Sequence, residues 1–347
     1  MNEIATNVTL TNLGVNNGAA AAAADGIHTY EERTALFMKK FSGEVFKAMR
    51  RKCLFKSLQR TRTITNGKSA SFNYTGRMSA RYHERGTAIL GSNNPPISEQ
   101  IINVDDLLIA DVAIDAIDEL MLHFDIRQEY SYQMGEALAL AYDDRVARIA
   151  TLAARHAAMN KDQQGGSVIS HTKAETDGQT LADMIFLAAQ TFDEKDVDES
   201  DRHIIVKPAQ YYMLAKVKDL IDRDYGGEGS INKAQLGSIA NMTLHRSMRL
   251  PNGKNITGRL KGEHNDYFGD FTDTVGLVLN KQAVGTVQLR EQKLQKTGAD
   301  FNIIYQADMM VASYLVGHGI LRPECAIELS KTGTAGTGET IEETESV

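Results

Sequence analysis

The stretch DIRQEYSYQMGEALALAYDDRVARIATLAARHAAMN, residues 125–160, decides how the rest of the chain is read. Asp125 is a good N-cap, and Gln128 stands three residues on, the spacing of a capping box. Apolar residues then recur at Ile126, Tyr130, Met134, Leu138, Tyr142, Val146, Ile149 and Leu152. The step is four and later three, which keeps one broad stripe. Arg127, Glu129, Gln133, Glu136, Asp143, Asp144, Arg148 and Arg155 fall on the other side. No Pro interrupts, so the spacing predicts one helix over 125–160. At 1.5 Å per residue it would run roughly 50 Å, against ~30 Å for a small domain. Such a helix is either a strut that outruns its domain or the scaffold helix of a large mixed domain. Gly135 is its weak point, disfavoured by about 1 kcal/mol against Ala, and is expected to mark a bend or a close contact.

Upstream, residues 1–26 are rich in Asn, Thr, Gly and Ala and nearly uncharged, and are expected to be mobile or strapped to a partner. Glu31–Phe55 has helical spacing with a basic face, either an arm or a peripheral helix of its own domain. Thr61, Thr63, Ile64, Ser71, Phe72 and Tyr74 flank Asn66-Gly67, which reads as a β-hairpin with a turn favouring φ > 0. Ile97–Ile114 returns as a strand. A charged hairpin of this length has little core of its own and is marginal in isolation, so it should lie on something else. Downstream, Thr180–Thr191 is a second helix with a Thr180/Asp183 capping box. His203–Val206 is a buried strand, and Pro208 opens a further helix running to Ile221. Met242–Leu250, Val275–Leu279, Val284–Leu289, Asn302–Tyr305 and Met309–Val316 read as strands, and Ser330–Val347 as a disordered tail. Helices and strands mix without strict βαβ alternation, so the fold class is α+β.

The 347 residues allow one large or two ordinary domains. No apolar run reaches eighteen residues, and the start lacks a basic n-region, so neither a transmembrane span nor a signal peptide is expected. Cys53 and Cys325 are expected to be unpaired. The net charge of −7 conceals an asymmetry: Arg33–Arg85 carries fourteen Lys or Arg against Glu44 and Glu84, while Asp105–Asp144 carries eleven Asp or Glu against Arg127. The basic block could bind nucleic acid, pair with the acidic block of its own subunit, or pair with that of a neighbour.

Catalytic chemistry is thin. Gly67-Lys68-Ser69 resembles the end of a phosphate-binding loop, but Arg62 stands where that loop needs Gly, and a turn is the better reading. The nine histidines show no metal-ligand spacing. His264 with Asp266 could share a proton, and Asp105-Asp106 or Asp143-Asp144 could bind a cation, but solvated surface is the commoner fate of each. Phe72, Tyr74, Arg77, Arg81 and Tyr82 could stack bases; a packed hairpin gives the same pattern. No catalytic, cofactor or metal residue is assigned.

The order of these pieces resembles the HK97-type capsid fold, and the sequence is similar to the major capsid proteins of T7-like short-tailed bacteriophages. The resemblance is carried by Phe41-Ser42-Gly43-Glu44-Val45, Gly67-Lys68-Ser69-Ala70-Ser71-Phe72 with Gly76-Arg77, and Asp106-Leu107-Leu108-Ile109-Ala110-Asp111-Val112. It continues through Asp125–Tyr130, Gly135-Glu136, Ala283–Val287, Gly317-His318-Gly319 and Leu321-Arg322-Pro323-Glu324. It runs from about residue 35 to 330; the first thirty residues, the 252–268 loop and the tail do not obviously match. It implies an N-terminal arm (1–59) and an extended loop lying across a neighbour (60–104). It implies a peripheral domain (105–175 and 285–313) with spine helix 125–160, an axial domain (176–284 and 314–330), and a disordered tail (331–347).

Copies would then assemble as hexamers and pentamers of an icosahedral head in the host cytoplasm, around a scaffolding protein. A portal would take one vertex, and double-stranded DNA would be enclosed without sequence-specific binding. No membrane is involved. Some relatives carry a Lys–Asn isopeptide bond; it is not carried over, although Lys68 is the nearest candidate. Basic residues of arm and loop (Arg50, Arg51, Arg62, Lys68, Arg77, Arg81, Arg85) are expected to meet acidic ones (Asp105, Asp106, Asp111, Asp115, Asp118, Glu119, Glu129, Glu136) on adjacent subunits. Two rival readings are an encapsulin-type compartment shell and a DNA-binding protein using residues 33–85.

Overall fold

The computed structural model describes residues 44–45, 47–49, 53–76, 78, 80–89, 91, 97–115, 126–160, 163–217, 236–297 and 304–332. In chain order the elements begin with β1 (Arg60–Thr63), β2 (Ser69–Thr75), β3 (Ile97–Asn103), β4 (Leu108–Asp115), α1 (Ile126–Arg155) and β5 (Ser167–Ser170). They continue with α2 (Gly178–Glu194), β6 (Arg202–Val206), α3 (Pro208–Leu214), β7 (Ser238–Ile239), β8 (Met242–Arg246), β9 (Asn255–Ile256) and β10 (Gly269–Asp270). The last are β11 (Thr274–Asn280), β12 (Val284–Lys296), β13 (Ala307–Ile320) and β14 (Ala326–Ser330). Helices and strands are mixed, as α+β requires. The chain divides into two compact units: 1–52, 108–139 and 292–314 form the first, and 53–107, 140–291 and 315–347 the second. Expectations for residues 1–26, for 218–235, for 302–303 and for 333–347 lie outside the described residues, as does Asp125.

In the first unit, β4 pairs antiparallel with Ala307–Tyr314 of β13. Lys296 and Asp308 close this end with a 2.7 Å ion pair. The start of α1 packs on a helical segment through Val45, Ala48 and Met49, all buried. Gly135 is where they meet: a Cβ there would stand 2.4 Å from the Val45 carbonyl and 2.8 Å from Ala48 Cβ. The close contact expected of this glycine is present.

The second unit is built on a six-stranded sheet, order β5-β14-β11-β6-β8-β7. β11 and β14 are buried along their whole length. α2 buries Leu181, Met184, Ile185, Ala188 and Phe192. Its N-cap is Asp177, whose carboxylate accepts from Gln179 N, Thr180 N and the Thr180 hydroxyl. The expected Thr180/Asp183 box is thus displaced by one acidic residue three positions earlier. α3 begins at Pro208 as expected and ends at Leu214.

Two local readings are corrected. Asn66-Gly67 does turn the chain, with Gly67 at φ +109°, but it does not join a hairpin. β1 pairs parallel with Gly285–Gln288 of β12, whereas β2 pairs antiparallel with β3 across the long connection. The 97–114 run is likewise two strands, β3 and β4, interrupted at 104–107. α1 stops at Arg155, not at residue 160. His156 N turns back to donate to Ala153 O, a tightened i→i+3 contact, and Gly166 N of the returning chain donates to His156 O. Tyr305, expected extended, has helical backbone.

Candidate functional site

The two faces of the β2–β3 hairpin differ. Ala70, Phe72, Ile102 and Val104 turn inward onto Val287 and Leu321 and form one buried cluster. Burying a large apolar side chain contributes about 1.5–3 kcal/mol, so the root of the hairpin is fastened to its own unit. The expectation of a coreless hairpin therefore holds only beyond the root. On the opposite face Ile97, Glu99 and Ile101 are exposed. Toward the tip Met78, Tyr82 and Ile89 are exposed together with Arg81, His83 and Arg85. Large apolar side chains concentrated at an exposed, cationic tip mark a docking element.

The Gly317-His318-Gly319 motif acquires a physical reason at this root. Gly317 faces the end of β3 so closely that a Cβ would overlap the Asn103 carbonyl, and Gly319 faces Ile102 at 2.7 Å. Alternation then turns His318 to the other side, where it is fully buried. Its Nδ1 shares a 2.8 Å hydrogen bond with the Thr286 hydroxyl, which also meets Gln59 Oε1 at 2.7 Å. Tyr142 lies edge-on to the ring, 4.7 Å between centroids. Burial, helped by the charge of Arg145, lowers the His318 pKa to about 3, so the ring is neutral in the fold.

Beside it, Asp105 is 8 % exposed. It accepts from the Tyr267 hydroxyl, from His264 N at 2.8 Å and from Asn265 Nδ2 at 3.0 Å. Burial raises its pKa while these donors oppose the rise. Asn265 also exchanges two hydrogen bonds with the Asn103 backbone, at 2.8 and 3.2 Å, as a strand partner would. The 252–268 loop thus clamps the end of β3.

The charged residues singled out from sequence separate by position. Arg62, Lys68, Arg81 and Arg85 are exposed, as are Asp106, Asp111, Asp115 and Glu129; Glu136 is half-buried. Asp105 is engaged within its own unit. Arg50, Arg51, Arg77, Asp118 and Glu119 lie outside the described residues. His264 and Asp266 do not share a proton: His264 Nε2 meets Asp106 at 3.1 Å and Asp266 meets Arg259 at 2.6 Å. Asp143, read as polar surface, is 1 % exposed and caps the short helical turn Phe55–Ser57. It accepts from Leu54 N at 2.9 Å, Phe55 N at 3.2 Å and the Cys53 thiol at 2.9 Å. Burial and the Asp143 charge push the Cys53 pKa up, and burial raises that of Cys325 to about 12, so neither is an activated thiol. Among the described residues no three His, Cys, Asp or Glu are grouped to hold a metal ion, and no helix is long and apolar enough to cross a membrane.

A family model described as Gp10A-like, major capsid protein, matches residues 71–330. The chain is 32 % identical over 339 residues to the major capsid protein of Escherichia phage T7, covering 90 % of this chain and 95 % of that protein. Among solved structures, the capsid of the cyanophage P-SCSP1u superposes with a TM-score of 0.74 at 40 % identity, covering 81 % of this chain and 89 % of that one. The mature capsid of bacteriophage PhiM1 gives a TM-score of 0.65 at 16 % identity, over 81 % and 88 % of the two chains, a likeness of fold.

Proposed function

The chain belongs to the Gp10A-like family of major capsid proteins, and from that membership we infer that its copies close as hexamers and pentamers into a phage head around double-stranded DNA. Its role is structural, in an HK97-like capsid fold, and its self-association is that of an icosahedral shell. The observation that carries the reading is the β2–β3 hairpin: a root fixed in its own core and a tip whose Met78, Tyr82 and Ile89 lack cover. Such a tip is satisfied by lying on a second copy. Residues 60–104 are then the extended loop. The peripheral domain is 105–175 with 285–313, the axial domain 176–284 with 314–330, and the arm runs to residue 59.

Arg62, Lys68, Arg81 and Arg85 are exposed, as are Asp106, Asp111, Asp115 and Glu129, which supports the reading that the cations of one copy meet the carboxylates of adjacent copies. Complementary charge of this kind sets register and on-rate more than affinity. A scaffolding protein guides assembly in the host cytoplasm, a portal takes one vertex, and DNA is held without base readout. The family match and the identity to a phage capsid favour this shell over an encapsulin-type compartment. Negative-stain microscopy of the expressed chain, alone and with a scaffolding partner, tests it. Closed shells are expected; small discrete oligomers would refute the assignment.

A further inference from the structure

Two charged features of the second unit go beyond the contacts above and share only Arg62 with them. One is the turn between α2 and β6. Residues Asp193–Arg202 hold six Asp or Glu and two cations, a net charge of −4. Both cations point inward. Lys195, 8 % exposed, donates to Gly165 O at 2.7 Å and Ser167 Oγ at 2.6 Å. Arg202, 6 % exposed, meets Asp193 at 2.8 Å and donates through Nε to Asp198 O at 3.0 Å. Asn280 Nδ2 donates to the carbonyls of Asp198 and Ser200 at 3.2 and 2.8 Å. The backbone of the turn is therefore fixed, while Glu194, Asp198, Glu199 and Asp201 stay exposed.

The other is a cleft of about 450 Å³ lined, among the described residues, by Arg60, Arg62 and Arg322 with Asn73, Gln163 and Gln282, and by no described Asp or Glu. Arg62 lies over the Phe72 ring, 5.9 Å from its centroid, and is bonded to Ser71 O. Arg322 donates to Gln282 Oε1 at 2.6 Å and meets Glu324, itself almost buried, at 2.7 Å. Its Nε is buried with no acceptor among the described residues. The guanidinium groups of Arg62 and Arg322 are held before any partner arrives, which lowers the ordering cost of binding.

We propose that the acidic turn Asp193–Asp201 of one copy docks in the Arg60–Arg62–Arg322 cleft of a neighbouring copy. The contact rests on the capsid reading and adds a second charged interface to it. Planar guanidinium groups grip carboxylates through paired hydrogen bonds. Turn and cleft are different patches of one surface, so the contact is heterologous and can repeat around a closed ring. A phosphate backbone would also suit three arginines. The turn is favoured because it is rigid, outward-facing and brought along by every copy that assembles.

The test is charge reversal in the full chain, expressed with the other head proteins and scored as shell yield by sedimentation. Arg60→Glu with Arg62→Glu should lower yield about tenfold or more, as should Glu194→Lys with Glu199→Lys. All four together should return it to within about threefold of wild type. Wild-type yield from either pair alone overturns the proposal, as does a pair of arginine variants that assembles normally but retains less DNA. A cross-link guards against misfolding: shells of Arg60→Cys, Glu199→Cys should give a ladder of joined chains with a short bismaleimide, and monomer alone overturns the contact. A wild-type chain that forms no shells refutes the capsid reading, and this contact with it.

Discussion

Replacing Arg155 by Ala removes the cation that ties the end of α1 to the six-stranded sheet. Its guanidinium grips Glu328 of β14 through two bonds, Nε to Oε2 at 2.5 Å and Nη2 to Oε1 at 2.6 Å. The Glu328 side chain has no exposed surface, against 17 % for Arg155. After the substitution the carboxylate keeps Thr274 Oγ1 at 2.6 Å but loses its counter-charge. Leaving a buried charge unpaired costs about 3–5 kcal/mol. The contact of Arg155 with the Phe271 ring, 5.4 Å to the centroid, goes as well and adds about 0.5–1 kcal/mol. For a unit of this size each kcal/mol moves Tm by about 2–4 °C, so a fall of about 7–24 °C is expected in a thermal scan of unassembled subunits. Arg155→Met with Glu328→Leu should recover most of it, because removing both partners of a buried pair is often neutral. An Arg155→Ala Tm within about 2 °C of wild type would refute the reasoning.

Other substitutions read other parts of the fold. Gly135→Ala gains about 1 kcal/mol of helix propensity but places a Cβ 2.4 Å from the Val45 carbonyl. Overpacking costs about 1–3 kcal/mol, so unfolding measurements should show a net loss; a more stable variant would disprove the contact. His318, held to about 3 by burial, titrates first in the unfolded chain. The stability it contributes is complete above pH 6.5 and falls by about 1.4 kcal/mol per pH unit as pH drops toward 3, so about 2 kcal/mol is lost by pH 5. His318→Gln should flatten that slope, and parallel wild-type and variant profiles would contradict it. Asp105 and Asp143, raised by burial, act in the opposite sense in both proteins and cancel in the comparison. Tyr82→Ala should leave subunit Tm unchanged yet lower shell yield about fivefold or more, since it trims an exposed anchor; equal yield would show that the tip is not a contact.

How much of this could be read in the chain depends on how local the cause is. α1 announced itself through its three-four spacing, and Pro208 through its place at N1. The end of α1 did not, because the backbone of Gly166 meets it from outside the helix. Asn66-Gly67 misled for the same reason: the turn is real, but the partner of β1 lies more than two hundred residues away in β12. Asp105 and Asp143 looked like surface because acidic residues usually are. Only the donors that surround them, on the 252–268 loop and at Cys53–Phe55, explain their burial. The charge of the arm and hairpin was visible in composition. Arg60, Arg322 and the inward turn of Lys195 and Arg202 were not, since nothing in spacing says which charges face out.

The most direct measurement is a reconstruction by electron cryomicroscopy of the particles formed by the full chain. A closed icosahedral shell is expected, in which the hairpin tip of each copy, with Met78, Tyr82 and Ile89, is covered by a neighbouring copy. Particles without icosahedral order, or a shell in which those side chains face solvent, would contradict it.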